Sequence, residues 1–178
     1  MSTENSRYRI KAAGRAEAIR VLLLQCGVSQ FTKLDNLLRY FVHHYPEAPG
    51  SSGNHQAWPA GYYDHVFDCL LNAVKLHKLL DPPVKLHDVA YVLFLHDIEK
   101  PIKYCDSNYV AGRPDNAIRQ SLMEDFDIKP NELQLNALKY IHGEGHEYSK
   151  SNRVMSELAA FCHCCDVISA RIFHSTDN

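Results

Sequence analysis

The chain has 178 residues, 46% hydrophobic and 22% charged, with a net charge of −2 when histidine is neutral. That is enough for one domain with a real core, and it excludes a global basic field for nucleic acid, though not a local basic patch. Eleven histidines favour metal or proton chemistry.

Residues 1–13 are polar and expected to fray. Ala18, Ile19, Leu22, Leu23 and Cys26 repeat at helical spacing, which predicts a helix over 15–26 ended by Gly27. A second helix is expected over 31–44 from Leu34, Leu37, Leu38, Phe41 and Val42, with His43 and His44 suiting its C-terminal dipole. Residues 46–61 carry several Pro, Gly and Ser and read as a long loop. Loops of that length are functional or disordered, and His55 and Trp58 argue against pure disorder. Trp58 and Tyr62 could stack on a base, although packing or loop anchoring is the commoner role.

A long helix follows over 61–80, with His65 in its first turns and His77 expected at the surface. Asp81-Pro82-Pro83-Val84 breaks it. The run from Val89 to Leu95 leads into His96-Asp97-Ile98-Glu99-Lys100, and Pro101 is expected to end that helix, drawn over 86–100. Residues 103–113 read as a loop, 114–125 and 130–141 as helices, and 141–148, with two histidines and two glycines, as a loop suited to a site. The last predicted helix spans 153–173. Met155, Leu158, Ala159, Cys162 and Ser169 share its apolar face, and Asp166 falls among them. No strand alternation and no repeat is visible, so the expected class is all-α. No apolar run reaches membrane-spanning length.

Six cysteines do not form a disulfide pattern, since Cys162, Cys164 and Cys165 lie in one helical stretch. Fanned around one axis with His163, they cannot enclose a tetrahedral ion either. Reduced thiols and a start without an apolar core segment lead to the expectation of a cytoplasmic protein.

His96 and Asp97 at the end of a buried helix carry a desolvation cost unless they are paired or ligate a cation. Taken alone, a solvated polar helix tip explains them as well as a site does. Asp166 on an apolar face and His65 beside the long loop have the same need. Two imidazoles and two carboxylates suit a divalent ion with positions open for water and a phosphate oxygen.

The order His65…His96-Asp97…Asp166 resembles the HD superfamily of metal-dependent phosphohydrolases. Asn54-His55-Gln56 through Gly61 to His65 is similar to the Asn-His-His…Gly-Gly-Leu…His segment of HD proteins related to bacterial 3′→5′ exoribonucleases, with Gln56 and Ala60 departing from it. His96-Asp97-Ile98-Glu99-Lys100 resembles His-Asp-Ile-Gly-Lys, with Glu99 in place of glycine. His163 through Asp166 to Arg171 resembles the His-Gln-Ala-Asp…Ala-Ala-Arg ending of phage and bacterial HD hydrolases, and His142-Gly143 matches a histidine ahead of a glycine-rich loop in that group.

The resemblance implies an HD-type helical domain over 51–174, with residues 1–50 as a helical extension packed on it in a single unit. It implies His65, His96, Asp97 and Asp166 as ligands of Mn²⁺, Fe²⁺, Co²⁺, Ni²⁺, Zn²⁺ or Mg²⁺. Asp97, Glu99 and Lys100 are the catalytic candidates, the carboxylates for proton transfer. Lys100, Lys103 and Arg171 are candidates for phosphate oxygens, and His55 and His163 for substrate contact or bracing. His142 and His146 could hold a second metal, contact phosphate or simply end a helix. The expected activity is hydrolysis of a phosphoester in a nucleotide, another phosphorylated small molecule or a short single-stranded nucleic acid, with no membrane contact. The first two helices could cap the core or form a homo-oligomer face. Two other readings stay open: a mixed-valent di-iron oxygenase using His142 and His146, and a non-catalytic nucleotide sensor.

Overall fold

The computed structural model describes residues 3–173, so the expected bound at residue 174 lies outside the described residues. The helices are α1 (Thr3–Gln25), α2 (Phe31–His44), α3 (Gly61–Leu80), α4 (Leu86–Leu95), α5 (Lys100–Cys105), α6 (Ser107–Val110), α7 (Asp115–Asp125), α8 (Glu132–Tyr140) and α9 (Glu157–Val167). A 3₁₀ turn covers Gly145–Glu147, and α9 runs into a π-helical segment, Ile168–Phe173. Every regular element among the described residues is helical. No helix among them is long and apolar enough to cross a membrane.

The centre is α4, whose residues from Val89 to Leu95 are all fully buried. A helix apolar all round must be covered on every side. Here α3, α8 and α9 do most of the covering, with α1 touching one edge. Burying side chains such as Leu93, Phe94 and Leu95 contributes about 1.5–3 kcal/mol each, as an upper bound. Ala12, Ile19 and Leu23 of α1 and Leu34, Leu37 and Phe41 of α2 join the same core as Val89 to Leu95. The chain is one domain.

Residues 3–13 do not fray as their polarity predicts; they belong to α1. The cause is tertiary. Ala12 is fully buried, and Lys11 and Arg15 reach the carboxylate of Asp64 in the first turn of α3, at 2.9 and 2.6 Å. Trp58 donates its indole N–H to the same carboxylate at 2.8 Å, so it anchors the loop.

The loop before α3 is built around Ser51 and Gln56. The Ser51 hydroxyl accepts from the backbone N–H of Asn54 and His55, both at 3.0 Å, and donates to the His55 carbonyl at 2.7 Å. Gln56 is fully buried, and its carbonyl accepts from Gly50 at 2.9 Å. At Gly61 a Cβ would lie 1.8 Å from that carbonyl oxygen, so only glycine allows this approach.

The helix expected over 86–100 ends at Leu95, and residues 96–99 form a turn. Pro101 does not terminate α4. It stands in the first turn of α5, where its missing N–H costs nothing. The expected loop over 103–113 contains the end of α5 and all of α6, which Asp106 caps through the Tyr109 N–H at 3.0 Å.

The helix expected from residue 153 starts at Glu157, with Ser156 as its N-cap. The preceding chain is held off helix by the buried Glu144 carboxylate, which accepts from the N–H of Val154 and Met155 at 3.1 and 3.0 Å. Its C-terminal part is π-wound, a geometry that recurs at functional sites. Asp88, in the first turn of α4, is buried and accepts from Gln134 of α8 at 2.8 Å.

Candidate metal centre

Three elements meet around four side chains. His65 comes from the second turn of α3, His96 and Asp97 from the turn after α4, and Asp166 from the end of α9. His65 and His96 are fully buried, and Asp97 and Asp166 are nearly so. The imidazole Nε2 atoms of His65 and His96 lie 3.2 Å apart. Asp97 Oδ2 is 3.3 Å from His65 Nε2 and 3.1 Å from His96 Nε2. Asp166 Oδ1 is 3.3 and 3.7 Å from the same two nitrogens.

These separations match donors around one cation. An ion bound at about 2.1 Å holds neighbouring donors about 3.0–3.4 Å apart. The tautomer suits it too. His96 Nδ1 lies 2.7 Å from the Leu93 carbonyl. A carbonyl only accepts, so Nδ1 carries hydrogen and Nε2 is the nitrogen that faces the cluster. His65 Nδ1 meets Ser169 Oγ at 3.2 Å, which orients that ring from the π segment. Neither carboxylate oxygen of buried Asp97 receives a well-angled hydrogen bond, although the Lys100 ammonium stands 2.5 Å from Oδ2. A buried carboxylate left in that state fits a cation. The donor atoms of His65, Cys69, His96 and Asp166 all lie within 4.8 Å of one another, as do those of His96, Asp97 and His142.

The electrostatics are those of a proton-bridged cluster. Burial disfavours charge on His96, but Asp97 and Asp166 override it and push its pKa up to about 10. Burial likewise raises Asp97 and Asp166. The charges of His96 and Lys100 hold Asp97 well below the carboxylate range, and hydrogen bonds from His65 and His96 do the same for Asp166. Lys100 is mostly buried, which lowers its pKa, but the Asp97 carboxylate more than compensates and raises it.

A cavity of about 270 Å³ opens beside the cluster. Lys100, His142, His163, Asp166 and Arg171 line it, as do Asn54 and His55 of the long loop. His55 bonds Gln56 Oε1 through Nδ1 at 2.8 Å, and its ring centre is 4.9 Å from that of His65. Burial lowers the His55 pKa. His142 Nε2 approaches Asp97 Oδ1 and Asp166 Oδ2 to 3.8 and 3.9 Å, and burial followed by the His96 charge lowers its pKa. His163 gives its Nδ1 to the Ile141 carbonyl at 2.5 Å, tying α9 to the loop that carries His142. It lines the cavity and does not bond Asp166.

Three residues that the sequence suggests for the site stand elsewhere in the fold. Lys103 is paired with Asp115 at 2.7 Å and does not line the cavity. His146 is exposed in the 3₁₀ turn and belongs to neither donor group. Glu99 is buried against Arg119, Nε to Oε2 at 3.0 Å. Burial, opposed by Arg119, raises its pKa. Arg119 therefore gives the buried Glu99 carboxylate its partner, and no local signal marks that pairing in the sequence.

Cys69, Gln56 and Ser169 also belong to the surroundings of the site, and the sequence does not single them out for it. Cys69 lies one helical turn after His65, a spacing that puts both on one face. Gln56 donates to Ser169 Oγ at 3.0 Å and so ties the loop to the π segment. The chain matches no family model, no curated protein and no solved structure.

Proposed function

We propose that this protein is a metal-dependent phosphohydrolase of the HD type, acting on a phosphoester of a nucleotide or a short single-stranded nucleic acid in the cytoplasm. The observation that carries the reading is the convergence of the two buried Nε2 atoms, at 3.2 Å, on two carboxylates beside a cavity that contains Lys100 and Arg171. The order of these residues along the chain, and its resemblance to HD proteins, supports the same reading.

His65, His96, Asp97 and Asp166 would hold the ion. When bound, a divalent ion supplies an acidified water and a Lewis-acid contact for a phosphoryl oxygen. The chain does the rest. Lys100 and Arg171 place two cations in the cavity where phosphate oxygens enter, Arg171 with a planar fork suited to two of them. His142, whose pKa is lowered, can accept a proton at Nε2, which faces Asp97 and Asp166. His96 keeps its ring fixed through Leu93. A cavity of about 270 Å³ suits a phosphate with part of its sugar, near the small end of ligand sites.

The test is turnover by purified protein loaded with Mn²⁺, Co²⁺ or Ni²⁺ against nucleotides, cyclic dinucleotides and single-stranded RNA, with Asp97→Ala as control. Release of phosphate or nucleotide that Asp97→Ala abolishes supports the reading. A metal-loaded protein that turns over none of these sinks it. Tight nucleotide binding without turnover, indifferent to Asp97→Ala, would point to a sensing module.

A further inference from the structure

The helices α4, α8 and α9 lead at their C-terminal ends to His96, His142 and Asp166, and their N-terminal ends surround one groove. The ten residues of α4 put the two ends about 15 Å apart. The groove has a volume of about 920 Å³ and a floor of Pro83, Val84, Leu133, Met155 and Leu158. Leu133 is 49% exposed, and Leu79 and Leu80, just ahead of Pro83 in the chain, are 77% and 62% exposed. An apolar surface of this kind with a charged rim marks an interaction site. We propose that the groove docks a segment of a partner protein in which apolar side chains are bounded by lysine or arginine.

The charge of the groove chooses the occupant. Asp88, Glu132 and Glu157 bring three carboxylates to it and Lys85 one ammonium. Gln134 donates to the Asp88 carboxylate, and His87 stands 3.5 Å from its other oxygen. Glu132 and Glu157 are exposed, and among the described residues neither side chain forms a hydrogen bond or an ion pair. Three helix N-termini facing one space would draw an anion. Here that pull is already met: Asn131 and Ser156 cap α8 and α9 through the N–H of Gln134 and Ala159, and the carboxylates repel a further negative charge. What remains is a negative rim over an apolar floor, and its complement is a cationic rim around an apolar centre.

The shape suits a peptide segment. A space of about 920 Å³ lies at the large end of single-ligand cavities and takes several side chains. His77 Nε2 bonds the Val84 carbonyl at 2.8 Å, so the wall formed by the segment between α3 and α4 is fixed before anything docks. Met155 offers an unbranched side chain that adapts to what is pressed against it. The groove shares no lining residue with the cavity beside the metal centre, so the inference stands apart from the proposed hydrolysis.

The experiment titrates the full chain into a fluorescein-labelled synthetic peptide of leucine pairs bounded by lysines, read by fluorescence anisotropy at physiological ionic strength. Amide chemical shifts of the labelled chain locate the contact. The peptide is expected to bind with a micromolar Kd and to move the amides of residues 84–88, 131–133 and 155–158. Glu132→Lys with Glu157→Lys is expected to weaken it at least about tenfold, and Leu133→Ser to weaken it as well. Glu124→Lys with Asp125→Lys, the same charge change on the exposed end of α7, is expected to leave it unchanged. No binding of this peptide overturns the proposal. So does equal binding of a peptide with glutamate in place of lysine, or with serine in place of leucine. Binding that survives the Glu132 and Glu157 reversal, or shifts that fall outside the groove, overturns it too. Sedimentation velocity tests the other occupant: a dimer that Leu133→Ser abolishes means that a second copy covers the groove, and the proposal falls. If the double reversal does not fold, Leu133→Ser and the amide map decide the matter by the same criteria.

Discussion

The Nε2 atoms of His65 and His96 stand 3.2 Å apart, and neither ring is exposed to solvent. Two lone pairs at that distance repel, and so do two N–H groups. Either one proton or one cation must lie between these rings and the carboxylates that flank them. His96 has its other nitrogen committed to Leu93, so it cannot escape by changing tautomer. The buried charge of Asp97 is met in part by the Lys100 ammonium, 2.5 Å from Oδ2, while neither oxygen receives a well-angled hydrogen bond.

A cation that meets this demand should stabilise the fold. Binding to the folded chain alone, at a thousand times Kd, adds about 4 kcal/mol. For a chain of this size that raises Tm by about 10 °C. Differential scanning fluorimetry with Mn²⁺, Co²⁺, Ni²⁺ and Zn²⁺ reads it directly. The rise should vanish in His96→Asn and return to baseline with a chelator. No shift with any of these ions in the wild-type chain would rule out the centre.

Metal binding should also release a proton and tighten as pH rises. The His96 pKa, raised to about 10 by Asp97 and Asp166, means that the ion-free cluster holds a proton throughout the neutral range. An ion must displace it. Apparent affinity should therefore grow by about tenfold per pH unit between roughly pH 6 and 8. Sign and size are checked together by calorimetry in buffers of different ionisation enthalpy, which count the protons released. A pH-independent affinity would mean that the ion does not bind through His96.

Much of this was legible in the sequence, and the misses share a cause. The bounds of α2 and α3 follow from apolar spacing and from Gly61 and Asp81-Pro82. His65 from α3, His96 and Asp97 from the turn after α4 and Asp166 from α9 come together, and each could be singled out because a buried polar side chain is costly. The end of α4 was not legible, because residues 96–99 stay close to helical geometry: His96 has φ −63° and ψ −29°. The start of α1 depends on Asp64, more than forty residues away, and no local pattern reports that. Cys69 escaped notice because a buried cysteine on an apolar helix face is ordinary core.

Gly61→Ala tests how far the site depends on the loop before α3. The added Cβ would meet the Gln56 carbonyl oxygen at 1.8 Å, a backbone atom that cannot rotate away. Relief requires moving Gln56, and with it the bond to Ser169 that orients His65. The expected cost is about 2–3 kcal/mol in chemical denaturation, together with weaker metal binding. A folded Gly61→Ala chain with unchanged stability and metal affinity would show that the loop does not brace the site.

The junction between α1 and α3 should be acid-sensitive. Burial raises the Asp64 pKa, but hydrogen bonds from Trp58, Lys11 and Arg15 outweigh it and hold the pKa below the ordinary value of 3.8. A depressed folded-state pKa contributes stability that is present above the unfolded value and is lost as pH falls through the folded one. The loss therefore begins below about pH 4 and is complete only under stronger acid. Lys11 and Arg15 are each about two-fifths exposed, at 44% and 41%, so solvent screens their part. Asp64→Asn keeps the shape and removes the charge, and it should flatten the acid limb of the stability profile while leaving the neutral-pH fold in place. Hydrogen exchange of the α1 amides locates the effect. Protection in the wild-type chain should fall in acid before that of α4, and in Asp64→Asn it should be lower at neutral pH. Equal protection of α1 in the two chains at neutral pH would mean that Ala12, Ile19 and Leu23, and not the Asp64 ion pairs, hold the first helix down.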